Sequence, residues 1–179
     1  MIVCAGRTER LPFATPIGVG LIESAMNLTQ LVLFDRPEFL LFAGSAGSYG
    51  EFEIFDIVES RGATQIEPSF WDRCSYTPLD NAITGEGLQI GHQTLVNSSN
   101  YITTCPRYAE AFVKAGIGLE NMEFFSVLRV AQEHRIPAGG IFVVTNRCGP
   151  EAHEEYRKNI AQAMERLEEY LRKRFKGDI

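Results

Sequence analysis

The sequence predicts an α/β fold, in which helices cover a largely buried sheet. Three short, continuous apolar runs, at residues 2–5, 39–43 and 140–144, have the length and composition of strands covered on both faces. Segments with helical spacing lie between and after these runs. Strands and helices that alternate along the chain are typical of α/β domains.

The composition predicts one domain spanning residues 1–179. The chain is 45% hydrophobic, which is enough to bury a continuous core without cross-links or metal. Its formal net charge is −6 and its Lys and Arg residues are scattered, so it lacks the basic stripe that nucleic-acid binding requires. The four cysteines lie far apart, which argues against a disulfide framework or a zinc site. No run has membrane-spanning length and the N-terminal apolar stretch is too short for a signal peptide, so we expect a cytoplasmic protein.

The first strand, at residues 2–5, ends at Gly6 and is followed by a polar loop that contains Glu9 and Arg10. A loop at the end of a buried strand is a favourable place for a functional site. Glycines 18 and 20 then precede a helix over residues 21–34, whose apolar positions predict that it is mostly buried.

The second apolar run, at residues 39–43, predicts a central strand that stops at the small-residue turn Gly44-Ser45-Ala46-Gly47. Such a turn exposes backbone N–H groups and the Ser45 hydroxyl, which suit anions and sugar hydroxyls, although an ordinary tight turn explains it equally well. A dinucleotide-binding fingerprint is disfavoured because Gly18-Val19-Gly20 lacks the third glycine.

The second half of the chain predicts short β segments over residues 52–96, a helix over residues 120–134 and a buried strand at residues 140–144 that ends at Thr145-Asn146. A long amphipathic helix closes the chain, and its charges suit a solvated face. Its apolar face carries Ile160, Met164, Leu167 and Leu171.

Two polar residues stand where strands and helices meet. Glu123 suits a carboxylate that accepts hydrogen bonds from vicinal ribose hydroxyls, or one that only complements a helix dipole. Asn146 offers both a donor and an acceptor to a purine edge, or serves as a plain turn or cap residue. Each residue taken alone fits the structural interpretation better.

Taken together, several motifs resemble those of the purine and uridine phosphorylase superfamily, which includes methylthioadenosine nucleosidases and futalosine hydrolases. Gly18-Val19-Gly20 is similar to the family's G-I-G, and residues 44–47 are similar to its G-S-A-G turn. Residues 96–102 resemble its S-G-D-x-F-I segment, and Asn121-Met122-Glu123 resembles its E-M-E motif. Their order and spacing extend the likeness over most of the chain.

The resemblance implies roles for five side chains. It assigns the ribose 2′- and 3′-hydroxyls to Glu123, the apolar side of the sugar to Met122, and a stacking role against the base to Tyr101. It also places Ile102 among the substrate-binding residues. Asn146 stands where many relatives have an Asp that hydrogen-bonds or protonates N7. An amide is not a general acid, but it can hydrogen-bond N7 and O6 of a departing 6-oxopurine, which we therefore expect as the base.

The resemblance implies cleavage of an N-glycosidic bond, and the loop after the first strand bears on the nucleophile. Gly6, Arg10 and Ser45 suit phosphate binding, whereas Glu9 suits activation of water. Phe42 replaces a phosphate-binding Arg of many phosphorylases. On the sequence alone we expect phosphorolysis ahead of hydrolysis.

The resemblance further implies a three-layer α/β/α domain with a mixed, partly barrel-like sheet, a homo-oligomer, and no metal or organic cofactor. The expected partners are a small-molecule nucleoside and phosphate, with no nucleic acid and no membrane. A nucleoside-binding protein without turnover is the competing interpretation, and an oxidoreductase with a dinucleotide fold ranks third.

Overall fold

A computed structural model describes residues 1–175 of the chain. Its helices are α1 (Leu21–Asp35), α2 (Pro68–Trp71), α3 (Pro106–Lys114), α4 (Phe124–His134) and α5 (Ala152–Arg174). Its strands are β1 (Ile2–Cys4), β2 (Thr15–Pro16), β3 (Leu40–Ser48), β4 (Ile57–Ser60), β5 (Gly62–Thr64), β6 (Ala82–Thr84), β7 (Leu95–Ser98), β8 (Ile117–Asn121) and β9 (Ala138–Arg147).

Strand β3 is the centre of the sheet. β9 runs parallel to it along its whole length. On its other side β3 pairs first with β1, in parallel, and then near its end with β8, antiparallel. The strand order is β2-β1-β3-β8-β7-β5-β6, and β9 also pairs with β4. The sheet is therefore mixed, as predicted, and it is not a closed barrel.

The sheet separates two apolar cores because successive side chains of a strand point to opposite faces. Phe42 faces α1 and α4 and packs against Phe124 and Phe142. Leu41 and Ala43 face α5 on the other side. Helices on both faces of one sheet confirm the three-layer α/β/α class. Phe42 is fully buried in the first core, so this position has no access to solvent or ligand.

The small-residue segment 44–47 is not a turn. It continues β3 and pairs with β9, with a register shift between Ala46 and Gly47. Small residues are needed here because other side chains pack onto the strand. A Cβ on Gly44 would lie 2.9 Å from Glu9 Oε2, and one on Gly47 would lie 2.9 Å from Asn146 Nδ2.

Three further predictions are corrected. The helix predicted over residues 120–134 begins at Phe124, because the preceding residues belong to β8. The strand predicted to end at Thr145-Asn146 runs one residue further, to Arg147, because β3 extends the pairing that far. Helix α1 has the predicted position but is not mostly buried, since its packing contacts are limited to one side. Large apolar side chains are exposed on it, namely Ile22, Met26, Leu33 and Phe34.

Candidate active site

A cavity of about 390 Å³ lies at the ends of β1, β3, β8 and β9, beneath the first turns of α5. This volume lies in the range of small-ligand sites. All of the predicted site residues except Arg10 line it: Gly6, Glu9, Ser45, Tyr101, Ile102, Met122, Glu123 and Asn146. The fold thus brings together residues that lie up to 140 positions apart in the sequence.

Glu123 is the most buried carboxylate of the cavity, with 3% of the residue exposed. Its Oε1 accepts a hydrogen bond from the backbone N–H of Gly20, and its Oε2 accepts one from Asn121 Nδ2, both at 2.9 Å. An ionised carboxylate has about four acceptor positions. Two acceptor positions are therefore left on Glu123, enough to accept one hydrogen bond from each of two vicinal hydroxyls.

Asn121 holds this carboxylate in place. Its Oδ1 accepts hydrogen bonds from the backbone N–H groups of Glu123 and Phe124, at 2.7 and 2.8 Å, and so satisfies the first donors of α4. Its Nδ2 donates to the carbonyl of Ser45 as well as to Glu123. Glu123 does not cap the helix with its own side chain. The helix-dipole interpretation of Glu123 is therefore not needed to explain its position.

Glu9 is held by Ser45. Its Oε2 accepts a hydrogen bond from the Ser45 N–H, and its Oε1 accepts one from the Ser45 hydroxyl, both at 2.8 Å. The loop turns back at this point, because Gly6 has a φ of 88° and its carbonyl accepts the Glu9 N–H. Gly44 leaves the space that the carboxylate fills.

The two carboxylates face the same cavity and influence each other. Burial, and then the negative charge of Glu9, raise the pKa of Glu123 to about 7. Burial also raises the pKa of Glu9, and the hydrogen bonds from Ser45 oppose that rise. A pair of perturbed carboxylates in one cavity is a feature of catalytic sites.

Asn146 also lines the cavity and is 7% exposed. Its Oδ1 accepts a hydrogen bond from the Thr145 hydroxyl at 2.9 Å, and its Nδ2 donates to the carbonyl of Arg147 at 3.2 Å. The side chain is thereby oriented, and one N–H and one lone pair stay available. The missing Cβ of Gly47 gives the amide its space.

The remaining predicted residues lie at the rim or outside. Tyr101 and Ile102 are 72% and 49% exposed, at the mouth of the cavity, and Met122 is partly buried beside Glu123. Arg10 is exposed and does not line the cavity. Arg7 lines it instead and is largely exposed.

Among the residues of the cavity wall that the sequence analysis did not assign to the site are Thr8, His153 and Tyr156. Thr8 lies next to Glu9, but no pattern singles it out. His153 and Tyr156 belong to α5, whose amphipathic spacing explains the helix without a site. Only the packing of α5 across β9 and β3 places its first turns over the cavity.

Among residues 1–175 no group of three or more His, Cys, Asp or Glu side chains is arranged to hold a metal ion. In the same range, no helix combines the length and apolar character needed to cross a bilayer.

Comparisons with known proteins agree with this fold. The 5′-methylthioadenosine/S-adenosylhomocysteine nucleosidase of Helicobacter pylori superposes with a TM-score of 0.80 at 16% identity, covering 96% of this chain and 95% of that one. Futalosine hydrolase of Helicobacter pylori gives a TM-score of 0.79 at 16% identity, covering 96% and 94%. The corresponding nucleosidase of Streptococcus pneumoniae, solved in complex with 8-aminoadenine, gives 0.77 at 16% identity, covering 95% of each chain. No curated protein sequence matches. The model of the phosphorylase superfamily matches residues 2–175, and the chain therefore belongs to that superfamily.

Proposed function

We propose that the protein hydrolyses the N-glycosidic bond of a purine nucleoside, with water as the nucleophile and Glu9 as the general base. One observation carries the choice of water. The carboxylate of Glu9 accepts both donors of Ser45, the N–H and the hydroxyl, which are the groups that would otherwise bind an anion. A phosphate in that position would have to displace a negative charge.

Three other features support hydrolysis over the phosphorolysis that the sequence favours. Arg10, the predicted phosphate ligand, lies outside the cavity. Phe42, at the position of a second phosphate ligand in many phosphorylases, is a core residue. The structural relatives reported above are named as nucleosidases and a hydrolase, which agrees with a water-using site in this chain.

The reaction follows from the placement of the three polar side chains. Glu123 accepts hydrogen bonds from the ribose 2′- and 3′-hydroxyls and stabilises the cationic sugar of the transition state. The bond from the anomeric carbon to the base breaks, and its electron pair leaves with the purine. Glu9 takes a proton from water as the water oxygen bonds to the anomeric carbon. The purine takes up a proton from solvent, giving free ribose and base.

A 6-oxopurine is the proposed base. The free N–H of Asn146 Nδ2 can donate to O6, and the free lone pair of Oδ1 can accept from a protonated N7. The 6-amino group of adenine would instead meet the amide N–H as a second donor. Leaving such a buried donor unpaired costs about 1–3 kcal/mol.

Inosine incubated with the protein, with and without phosphate, tests the nucleophile directly. We expect free ribose at the same rate in both buffers. Ribose 1-phosphate that forms only with phosphate would establish phosphorolysis, the second candidate, which is favoured by the cation Arg7 at the cavity. Tight nucleoside binding without any product would establish the non-catalytic alternative.

We also propose that a second copy of the chain covers the exposed apolar face of α1. A groove lined by Ile22 and Met26 continues into the active-site cavity, because Val19 and Met122 line both. A partner seated on α1 would therefore also close the cavity. We expect a dimer or larger assembly by size-exclusion chromatography with light scattering, and dissociation in Ile22→Glu with Met26→Glu. A monomeric wild-type protein at micromolar concentration would contradict the proposed assembly.

The cytoplasmic location stays a prediction.

A further inference from the structure

Glu120 is a carboxylate of the cavity wall that the proposed reaction does not use. It belongs to β8 and is only 7% exposed, yet it lines the cavity. None of the salt bridges formed within residues 1–175 includes it. Because a buried charge without a partner is costly, this carboxylate depends on hydrogen-bond donors.

Three donors hold the Glu120 carboxylate. Its Oε1 accepts a hydrogen bond from the backbone N–H of Thr103, and its Oε2 accepts one from the Tyr49 hydroxyl, both at 2.9 Å. The Thr103 hydroxyl also donates to Oε2. Burial raises the pKa of Glu120, and these donors oppose the rise because they stabilise the charged form. Of the roughly four acceptor positions on a carboxylate, one on Oε1 is left.

Glu120 and Asn146 stand in one row across the sheet. Gly47 of β3 pairs with Glu120 on one side and with Asn146 on the other. Residues paired across neighbouring strands point to the same face, and two strand spacings separate the Cα atoms of Glu120 and Asn146 by about 10 Å. Gly47 has no side chain to fill the space between the amide and the carboxylate.

The edge of a 6-oxopurine matches this row. In the proposed function Asn146 binds N7 and O6, and the next ring atom along that edge is N1. In a 6-oxopurine N1 carries a hydrogen and is a donor, which suits the free acceptor position of Glu120 across Gly47. In adenine N1 has a lone pair instead, which an ionised carboxylate repels.

We propose that Glu120 accepts the N1–H of a 6-oxopurine and, together with Asn146, makes the site specific for that class of base. This inference rests on the proposed function and adds a second specificity-determining residue to it. The carboxylate attracts the favoured base and repels the competing one, so it contributes to both sides of the discrimination.

1-Methylinosine tests the contact from the side of the substrate, because a methyl group replaces the N1 hydrogen. Wild-type kcat/KM should be roughly ten- to hundredfold higher on inosine, the effect of one hydrogen bond to a charged group. Glu120→Ala should lower kcat/KM on inosine by about the same factor. It should not lower kcat/KM on 1-methylinosine, because that substrate has no donor to lose and the smaller side chain leaves room for the methyl group.

Glu120→Gln tests the same contact with the surrounding hydrogen bonds kept. Its amide oxygen can accept the Thr103 N–H, while the hydroxyls of Thr103 and Tyr49 can reverse and accept from the amide N–H groups. The variant still offers N1–H an acceptor but has lost the charge. Its preference for inosine over 1-methylinosine should therefore lie between those of wild type and Glu120→Ala.

Glu59→Gln is a matched control. Glu59 is also a buried carboxylate that accepts hydrogen bonds from a tyrosine hydroxyl, that of Tyr170, and from a backbone N–H, that of Gly91. It lies outside the cavity. The substitution should leave the preference for inosine at the wild-type value.

Two results would overturn the inference. Wild-type kcat/KM on inosine in Glu120→Ala would mean that the site excludes 1-methylinosine by size alone. An equal loss on both substrates in Glu120→Ala and Glu120→Gln would mean that Glu120 only supports the fold.

Failure of the proposed function is a separate result, seen as wild-type protein that cleaves no nucleoside. Calorimetric titration with hypoxanthine and 1-methylhypoxanthine then decides on Glu120. We expect wild type to bind hypoxanthine roughly tenfold or more tightly than its methyl derivative, and Glu120→Gln to reduce that difference. Equal binding of the two bases by wild type would refute the contact.

Discussion

Glu9 and Glu123 face one cavity, yet the protein holds them in different ways. Glu123 stands between a strand and a helix and is bound by donors of the rigid scaffold, Gly20 N–H and Asn121 Nδ2. Glu9 stands in a loop and is bound by both donors of Ser45, the backbone N–H and the hydroxyl. Amide donors cannot accept a proton, whereas hydroxyls can.

This difference separates two chemical tasks. A carboxylate that must only hold two sugar hydroxyls is best fixed by N–H donors, which cannot reverse the direction of their hydrogen bonds. A carboxylate that must take up and release a proton is best placed among groups that can reverse their hydrogen bonds. The contrast supports the proposed roles of Glu123 towards the ribose and of Glu9 towards water, and each of the following experiments tests one part of that proposal.

Glu123→Ala should give the largest loss. It removes the charged acceptor of hydrogen bonds from two ribose hydroxyls, worth about 3–6 kcal/mol together, so kcat/KM on inosine should fall by roughly two to four orders of magnitude. It also leaves the buried Gly20 N–H without its partner, which should lower the free energy of unfolding by about 1–3 kcal/mol in urea titrations. Glu133→Ala, on the exposed side of α4, is the control. Near wild-type kcat/KM in Glu123→Ala would refute the ribose role.

Glu9→Gln should lower kcat by about a hundredfold or more, with little change in KM, because it removes the general base. The fold should tolerate it. The amide oxygen can accept the Ser45 N–H, and the Ser45 hydroxyl can reverse and accept from the amide N–H. The loss should be the same with and without phosphate, measured as ribose formed. A loss seen only as a higher KM for phosphate would instead support phosphorolysis.

The pH dependence should report the coupling of the two carboxylates. Nucleoside binding needs ionised Glu123, so affinity should rise with pH through about 7, the pKa of that group. In Glu9→Gln the negative neighbour is gone, so the transition in affinity should move to lower pH, as calorimetric titration with inosine can measure.

The raised pKa of Glu123 also affects the stability of the fold. Because the folded pKa of Glu123 lies above its ordinary value of 4.5, the folded state binds more protons, and this contribution to stability falls as pH rises from about 4.5 through about 7.

Base preference should give the smallest effect. Wild-type protein should cleave inosine roughly tenfold or more faster than adenosine, in kcat/KM, because only a 6-oxo group pairs with the Asn146 amide N–H. Asn146→Asp should narrow or reverse this preference, while Asn81→Asp, outside the cavity, should keep it. Equal cleavage of both nucleosides by wild type would refute the proposed recognition.

Prediction from the sequence succeeds where a local pattern has one structural meaning. The buried runs at β1, β3 and β9 were predictable because a short apolar segment with small flanking residues suits a strand covered on both faces. The sequence pattern wrongly predicted a turn at Gly44–Gly47. Small residues are typical of turns, and the sequence does not show that other side chains pack against this segment. The sequence pattern was also wrong about the burial of α1. Apolar residues on a helix do not show whether the surface that covers them belongs to the same chain.

The sequence alone therefore determined the α/β class, the superfamily and eight of the twenty residues that line the cavity, since these depend on short-range periodicity and on motifs. Only the tertiary structure decided which donors each carboxylate meets. Ser45 donates to Glu9, Arg10 stays outside the cavity, and Tyr156 lines the cavity from a helix almost 150 residues away from Glu9. These contacts join segments that are distant along the chain, and hydrogen bonding and the pKa of a buried group depend on neighbours in space.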